Sequence, residues 1–186
     1  MPMLPRPARW SPCWRFVLES VFAHPNATPR TLAVSAALVA AGAPLSDISR
    51  RLYRSKPEAQ IRLYGRVLAR IRSSDDGRVV WSTLDDEDLT ATGTSPAQSE
   101  GIIDLLSQAD EAEVSILFKE AGATTRLSVR TKPGGVDATV LTGAFGGGGH
   151  ARAAGATVGG RLSVAVPQVL AVAERLAADV NRSDPV

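Results

Sequence analysis

Residues 146–157 read GGGGHARAAGAT, a glycine run that ends at His150 and is followed by small residues. Glycine lets a backbone approach a ligand closely, because no Cβ stands in the way. Successive N–H groups in a turn form a concave site for anions, and an imidazole adds a donor whose charge changes near neutral pH. A flexible linker is the alternative, but the run interrupts two apolar segments. Phosphate is therefore predicted to bind at Gly146, Gly147, Gly148, Gly149 and His150.

A second phosphate-binding element is predicted in the strand 124–132, which reads TTRLSVRTK. Side chains alternate between the two faces of a strand, so Leu127 and Val129 share the face that packs on helices. The opposite face carries three cations and a hydroxyl group in one row, which suits phosphate oxygens. An ordinary solvated sheet face remains the alternative. The residues of this row are Arg126, Ser128, Arg130 and Lys132.

The remaining pattern predicts a small α/β domain at 74–186, behind a helical arm at 28–73 and an irregular segment at 1–27. Thr28 is predicted to cap a helix whose first residue is Pro29, and two further helices complete the arm. Val136, Val140 and Ala144 are expected on one side of a later helix. The domain is predicted to contain strands at 78–84, 113–120, 124–132 and 154–158, and helices at 85–91, 95–107, 136–145 and 163–181.

The composition describes a globular protein: 186 residues, of which 44% are hydrophobic and 22% charged. The formal net charge of +2 is too small to indicate nucleic-acid binding by itself. A single cysteine, Cys13, excludes an internal disulfide and suits a reducing compartment. No apolar run approaches the roughly 18 residues of a membrane span. A cytoplasmic location without a membrane is therefore predicted.

Candidate metal ligands are few, since the sequence has two histidines and one cysteine. His24 and His150 have no second ligand at the spacing of a metal site. The acidic run 85–88 and Asp137 stand at predicted helix starts, where the helix dipole favours negative charge. Arg152 is open to two interpretations, the phosphate pocket or the surface. Neither a metal site nor a catalytic residue is predicted in this chain.

The stretch from Val136 to Thr157 resembles the C-terminal signature of the DHH phosphoesterases. More narrowly, it is similar to the DHH-associated domain of the nanoRNase and phosphoadenosine-phosphate phosphatase type. LSVRTK at 127–132, SEGIIDLL at 99–106 and TPRTL at 28–32 extend the similarity upstream. The resemblance implies a mixed-sheet domain, and it makes the arm the last helices of the DHH domain with its linker helix.

The same resemblance implies the remaining substrate contacts. The family's Ser-x-Arg-Ser pattern matches Ser128, Arg130 and Thr131, although strand alternation points Thr131 away from Arg130 unless a bulge intervenes. Together with the glycine run and His150, the substrate-binding residues implied are Ser128, Arg130, Thr131, Lys132, Ala154 and Gly155.

Proteins of this family hydrolyse phosphoesters with two metal ions, normally manganese, held by an N-terminal domain with an Asp-His-His triplet. This sequence has no such triplet, so the resemblance implies a truncated substrate-binding part that is inactive alone. Its ligand would be short single-stranded RNA or a nucleotide bisphosphate such as phosphoadenosine phosphate. The alternatives are a stand-alone binding module, or a partial subunit completed by a separate Asp-His-His chain. A homodimer is the other assembly considered. Alanyl-transfer-RNA editing proteins carry a similar domain, but their zinc-site residues are missing here.

Overall fold

The computed structural model describes residues 28–53 and 55–183. The chain divides into two compact units between Ser55 and Lys56. The segment predicted to be irregular, 1–27, lies outside the described residues. His24 and Cys13 belong to it, so their predicted roles remain predictions.

The first unit contains the helices α1 (Pro29–Ala40) and α2 (Leu45–Tyr53). Thr28 caps α1 as predicted, since its hydroxyl oxygen accepts the backbone N–H of Thr31. No residue of α1 is buried within the described structure. Across the described residues, no single helix is long and apolar enough to span a membrane; α1 and the first part of α2 meet that length only as a pair bent by 114°.

The second unit is built on a six-stranded sheet in the order β1-β2-β3-β4-β6-β5. β2 and β3 are parallel, and every other neighbouring pair is antiparallel. The mixed α/β class predicted from the sequence is therefore confirmed. The strands are β1 (Arg72–Ser73), β2 (Val79–Leu84), β3 (Val114–Ala121), β4 (Thr124–Thr131), β5 (Gly148–His150) and β6 (Ala153–Gly159). The helices are α3 (Glu58–Leu68), α4 (Asp86–Thr92), α5 (Ile102–Leu106), α6 (Ala138–Gly143) and α7 (Leu162–Ser183).

The two faces of the sheet are covered unequally. One face packs against α6 and α7 across β2, β3, β4 and β6, with Phe118 and Val129 at the centre of that core. The other face is covered over β2 and β3, where Leu117 packs against residues of α3 and α5. Because α3 contributes Leu63 and Val67 to this core, the last helix of the predicted arm belongs to the second unit.

The helix predicted for 95–107 is wrong, because the structure breaks it into two pieces. A 3₁₀ turn at Pro96–Ser99 is followed by Gly101 with φ of +92°, and α5 begins at the next residue. A Cβ on Gly101 would lie 2.9 Å from the Tyr64 hydroxyl oxygen. The chain therefore turns here to pass close to Tyr64, which a continuous helix does not permit.

The helix predicted for 136–145 is shorter in the structure, where it spans Ala138–Gly143. Asp137 caps it as predicted, accepting the backbone N–H of Thr139 at 2.8 Å. Its buried residues are Ala138, Leu141 and Thr142, whereas 56% of Val140 is exposed. The prediction that Val136, Val140 and Ala144 lie on one side of this helix is wrong, because the helix begins only at Ala138 and ends before Ala144. Val136 precedes it and is buried, whereas Val140 is exposed.

Candidate anion-binding site

Arg130 and His150 lie on the same face of the sheet, in register, with one strand between them. Arg130 of β4 pairs with Ala153 of β6, and Ala153 pairs with His150 of β5. Neighbouring strands are about 4.8 Å apart, so the Cα atoms of Arg130 and His150 are about 10 Å apart. The small side chain of Ala153 leaves the space between them clear, so one anion can reach both.

The next set of paired residues across these three strands has small side chains. Ser128 of β4 pairs with Gly155 of β6, which in turn pairs with Gly148 of β5. Only the Ser128 hydroxyl, which can donate and accept a hydrogen bond, rises from this row. This uncovered part of the sheet, called the open face below, consists of Arg126, Ser128, Arg130, Gly148, His150, Ala153, Gly155 and Thr157.

Arg130 is held in place but keeps donors for a ligand. Its Nε donates to Asp104 Oδ1 at 3.0 Å, and its Nη1 donates to the Val129 carbonyl oxygen at 3.2 Å. Among the described residues, Nη2 has no hydrogen bond. Arg130 and Asp104 are 33% and 59% exposed, and such an ion pair contributes no more than about 1 kcal/mol. A phosphate can therefore displace Asp104 at little cost.

Thr131 and Lys132, which the resemblance placed in the site, are not part of the open face. The Thr131 hydroxyl donates to the Ala151 carbonyl oxygen at 3.0 Å, and the β3–β4 register runs unbroken through Thr131 with no bulge. Lys132 Nζ donates to the carbonyl oxygens of Ala109 and Asp110 at 2.7 and 2.6 Å. Both side chains thus hold neighbouring backbone segments together.

Arg152 has a structural role as well. Its Nη1 donates to the carbonyl oxygens of Lys132 at 2.5 Å and Val136 at 3.2 Å. These bonds tie the β5–β6 turn to the loop before α6. Arg152 is thus an exposed residue that supports the backbone, which agrees with the surface interpretation rather than with the phosphate pocket.

The glycine run does not form the amide pocket predicted for it. The N–H groups of Gly146 and Gly147 donate to the carbonyl oxygens of Gly143 at 3.1 Å and Thr142 at 2.9 Å, where they end α6. Gly148 and His150 then belong to β5, a strand the sequence did not predict.

Hydrogen bonds alternate along antiparallel strands. The Thr131 N–H bonds to the Arg152 carbonyl oxygen, so the next residue along, Ala153, directs its own N–H and C=O toward β5. By the same alternation Gly148 and His150 direct theirs toward β6. Within the run 148–150, only the Gly149 amide points outward.

Close approach between strands, rather than a bound ligand, accounts for two of the glycines. A Cβ on Gly147 would lie 2.5 Å from the Cβ of Ala156. A Cβ on Gly149, whose φ is +148°, would lie 2.6 Å from the Ala153 carbonyl oxygen. Ala154 is 8% exposed and belongs to the core on the opposite face, so it is not in the site.

Lys119 of β3 borders the open face and was missed from the sequence. It pairs directly with Arg126 of β4, and its Nζ lies 3.5 Å from the Ser99 hydroxyl oxygen. Burial and the Arg126 charge lower the pKa of Lys119, while Glu100 acts in the opposite direction. Only the register of β3 against β4 reveals this neighbour, and that register is not visible in a strand considered alone.

The acidic residues serve the fold rather than a metal. Asp85 caps α4, and Asp88, fully buried, accepts hydrogen bonds from Arg66 Nε at 2.9 Å and from Arg70 Nη2. Burial pushes the pKa of Asp88 upward, but the hydrogen bonds from both arginines outweigh it and leave the pKa lowered. In the described parts of the chain, no group of three His, Cys, Asp or Glu residues can hold a metal ion.

A cavity beside α7 is less suited to an anion. It measures about 380 Å³, and its charged residues are both aspartates. The Asp137 carboxylate already accepts hydrogen bonds from the Thr139 hydroxyl and N–H, which lower its pKa. The lining residues are Gly134, Gly135, Val136, Asp137, Val140, Leu176, Asp179 and Val180.

Most of the second unit matches a known protein family. A family model described as the DHHA1 domain matches residues 76–179, more than half of the chain. The chain belongs to the DHHA1 domain family. The resemblance inferred from the glycine run and its flanking segments is thereby confirmed.

Two similar proteins match this chain over part of their own length. The chain is 32% identical over 139 residues to the bifunctional oligoribonuclease and PAP phosphatase NrnA of Thermus thermophilus, a match covering 75% of the chain and 41% of that protein. A solved exopolyphosphatase-related protein from Bacteroides fragilis shares the fold, with a TM-score of 0.78 and 23% identity over 86% of the chain and 47% of its own. The DHHA1 chain thus spans less than half the length of either relative.

Proposed function

We propose that the open face is the substrate-binding surface of a DHH-family phosphoesterase and that it takes a phosphate group of a short oligoribonucleotide or a nucleotide bisphosphate. The observation that carries this proposal is the arrangement of Arg130, Ser128 and His150 around a floor of glycine and alanine. The name of the Thermus relative, an oligoribonuclease and PAP phosphatase, supports the same class of ligand.

Each residue of the open face has a distinct part in holding the phosphate. Arg130 supplies a fixed positive charge and the donors of its Nη2 group, and charge-assisted bonds of this kind are the strong ones. The Ser128 hydroxyl donates to a second oxygen. His150 approaches from β5 on the other side of β6 and adds an imidazole hydrogen-bonding group. Gly155 and Gly148 let the phosphate settle against the backbone between them.

The described residues support binding but not hydrolysis. Two-metal hydrolysis needs a cluster of ligands that holds both ions, and the described residues do not provide one. We therefore assign the manganese-dependent step to a catalytic domain carrying Asp-His-His, supplied outside residues 28–183. It would be joined to this part or contributed by a separate chain, in the cytoplasm.

Binding is tested by titrating fluorescently labelled diadenylate and adenosine 3′,5′-bisphosphate against the purified chain. Arg130→Ala is expected to weaken binding by about 10- to 100-fold, because a hydrogen bond to a charged group contributes about 1.5–3 kcal/mol. His150→Ala is expected to act in the same direction, because it removes a hydrogen-bonding group from the same face. Arg62→Ala is the matched control, since Arg62 is an exposed arginine of α3 paired with Glu58.

Two results would overturn the proposal. Equal losses for Arg130→Ala and Arg62→Ala would show unspecific attraction to positive charge. An affinity that does not change with salt would exclude phosphate contacts, because each contact to a single strand changes log K by about −0.7 per unit of log salt. Hydrolysis of either ligand by the purified chain with manganese, if abolished by Arg130→Ala, would refute the assignment of catalysis to another domain.

A further inference from the structure

A second cavity lies on the other face of the sheet from the open face, where α7 begins. It measures about 330 Å³, a volume typical of sites for small molecules. Trp81 and Arg72 are directly opposite in the β1–β2 register, so their side chains share one face of the sheet. Trp81 packs against the core that α6 and α7 form with the sheet, which holds its indole ring in place. The lining residues are Arg70, Arg72, Trp81, Thr83, Leu162, Ser163, Val166 and Pro167.

The polar groups of this cavity, called the Trp81 cavity below, lack hydrogen-bond acceptors. Arg70 Nε is the one buried side-chain nitrogen or oxygen without a hydrogen-bond partner in the part of the chain that the structure describes. The lining contains no carboxylate, and an arginine or indole N–H can only donate. Four further lining groups form no hydrogen bond or ion pair with any described residue: the Arg72 guanidinium, the Trp81 indole N–H and the hydroxyl groups of Thr83 and Ser163. Donors without acceptors indicate an anionic ligand.

The positive charge available to this ligand comes from Arg72. Arg70 is already neutralised, because its Nη1 donates to Asp85 Oδ2 at 3.3 Å and its Nη2 donates to Asp88 Oδ2. Arg72 is exposed and forms no ion pair with the carboxylates of the described residues. One guanidinium matches one carboxylate through two parallel hydrogen bonds. A phosphate monoester carries nearly two negative charges, more than one guanidinium balances.

The positions of the donors and of the apolar groups describe the shape of the ligand. Thr83 is the diagonal neighbour of Arg72 across the two strands, a separation that a long side chain covers. Leu162 and Val166, one turn apart on α7, pack against the same core as the Trp81 indole, and a flat ring packs well on an indole. The N-terminal end of α7 also favours negative charge here. A carboxylate attached to a ring satisfies both parts of the lining.

We propose that the Trp81 cavity binds a small aromatic carboxylate, with the carboxylate bonded to Arg72 and the Thr83 hydroxyl and the ring against the Trp81 indole. This goes beyond the proposed function, because it places a second ligand, without phosphate, on the reverse side of the sheet. Arg130 and His150 do not line the cavity, so the two sites are tested separately.

The test is a titration of the purified chain with sodium benzoate, followed by heteronuclear NMR of the tryptophan indole N–H groups. The sequence has three tryptophans, and the Trp81 signal is identified by its loss in Trp81→Phe. Benzamide has the shape of benzoate without its charge, and acetate has the charge without the ring. Each is expected to bind about 10-fold more weakly than benzoate or worse. This comparison needs no variant to fold.

Two variants remove the contacts to the carboxylate while they keep most of the side-chain volume. Arg72→Met is expected to weaken benzoate binding about 10-fold. Thr83→Val, which replaces the hydroxyl by a methyl group and keeps the strand preference, is expected to weaken it about threefold. Arg62→Met is the matched control, since Arg62 is an exposed arginine paired with Glu58; its benzoate affinity should stay within about twofold of the unaltered chain.

The outcomes separate this inference from the proposed function. If benzoate does not shift the Trp81 signal at up to about 20 mM, or if benzamide binds as well, the inference falls and the proposal for the open face stands. Equal losses for Arg72→Met and Arg62→Met would show unspecific attraction to positive charge and would also refute it. Added AMP is expected to leave the affinity for benzoate unchanged. Displacement of benzoate by AMP would assign the Trp81 cavity to a nucleotide and overturn the inference.

Discussion

Replacement of Gly147 by alanine tests whether the glycine run is a strand in close contact with its neighbour or a flexible connection. The added Cβ would lie 2.5 Å from the Cβ of Ala156, and atoms of the Gly155 backbone are closer still. An ordinary contact begins near 3.4 Å, so β5 must move away from β6 by about 1 Å. The obstacle is largely backbone, which cannot turn aside as a long side chain can.

The magnitude follows from the hydrogen bonds that such a movement breaks. β5 is attached to β6 through the pairs of Gly148 with Gly155 and of His150 with Ala153. Hydrogen bonds contribute about 0.5–1.5 kcal/mol each, and replacing glycine returns about 0.4–1 kcal/mol through the unfolded chain. Gly147→Ala is therefore expected to lower the free energy of unfolding by about 1–2 kcal/mol. The melting temperature should fall by about 2–8 °C.

The assay is thermal and urea unfolding followed by circular dichroism, with Gly148→Ala as the matched control. A Cβ on Gly148 meets nothing within 4 Å, and the φ of this residue is not positive. The control is expected to keep the stability of the unaltered chain or to exceed it by up to about 1 kcal/mol. If Gly147→Ala and Gly148→Ala unfold alike, β5 is not packed against β6, and a flexible linker describes the run better.

Two further predictions concern the stability of the second unit. Asp88→Asn is expected to lower the free energy of unfolding by about 1.5–3 kcal/mol at pH 7. The pKa of Asp88 is lowered in the fold, so the stabilisation from its carboxylate is present above about pH 4 and is lost as the pH falls further. Urea unfolding from pH 3 to pH 8 checks this, and a difference from the unaltered chain that stays constant down to pH 3 would contradict it. Gly101→Ala, at φ of +92° against the Tyr64 hydroxyl, should destabilise by about 1–3 kcal/mol. Gly65→Ala, in α3 with open space around it, should stabilise by about 0.5–1 kcal/mol; equal melting temperatures for these two glycine variants would refute the comparison.

The elements governed by local rules could be predicted from the sequence. Thr28 and Pro29 begin α1 because a cap and a fixed φ act within one turn. The β3–β4 hairpin follows from alternating apolar residues on either side of Gly122, whose φ is +63°. The sharing of one face by Ser128 and Arg130 needed only the two-residue period of a strand.

The rest depended on contacts between distant parts of the chain. β5 has three residues, two of them glycine, so it offers no alternation of side chains, and only its pairing with β6 defines it. Lys132 looks like a member of the cationic row until its bonds to Ala109 and Asp110, more than twenty positions earlier, are seen. Lys119 joins the site through its register with Arg126, and register is set by the assembled sheet.

Among the described residues of the second unit, α5 reaches the open face only at β4, where Asp104 contacts Arg130, and this exposure has an energetic consequence for whatever binds there. Two unit charges 4 Å apart attract by about 1 kcal/mol in bulk water but by about 4 kcal/mol at an effective dielectric constant of 20. On a solvent-facing sheet the interaction stays near the lower value and is screened by salt. If the open face binds a phosphate as proposed, the contribution of Arg130 therefore comes mainly from its directed hydrogen bonds, and a second surface that excludes water would strengthen the charge attraction.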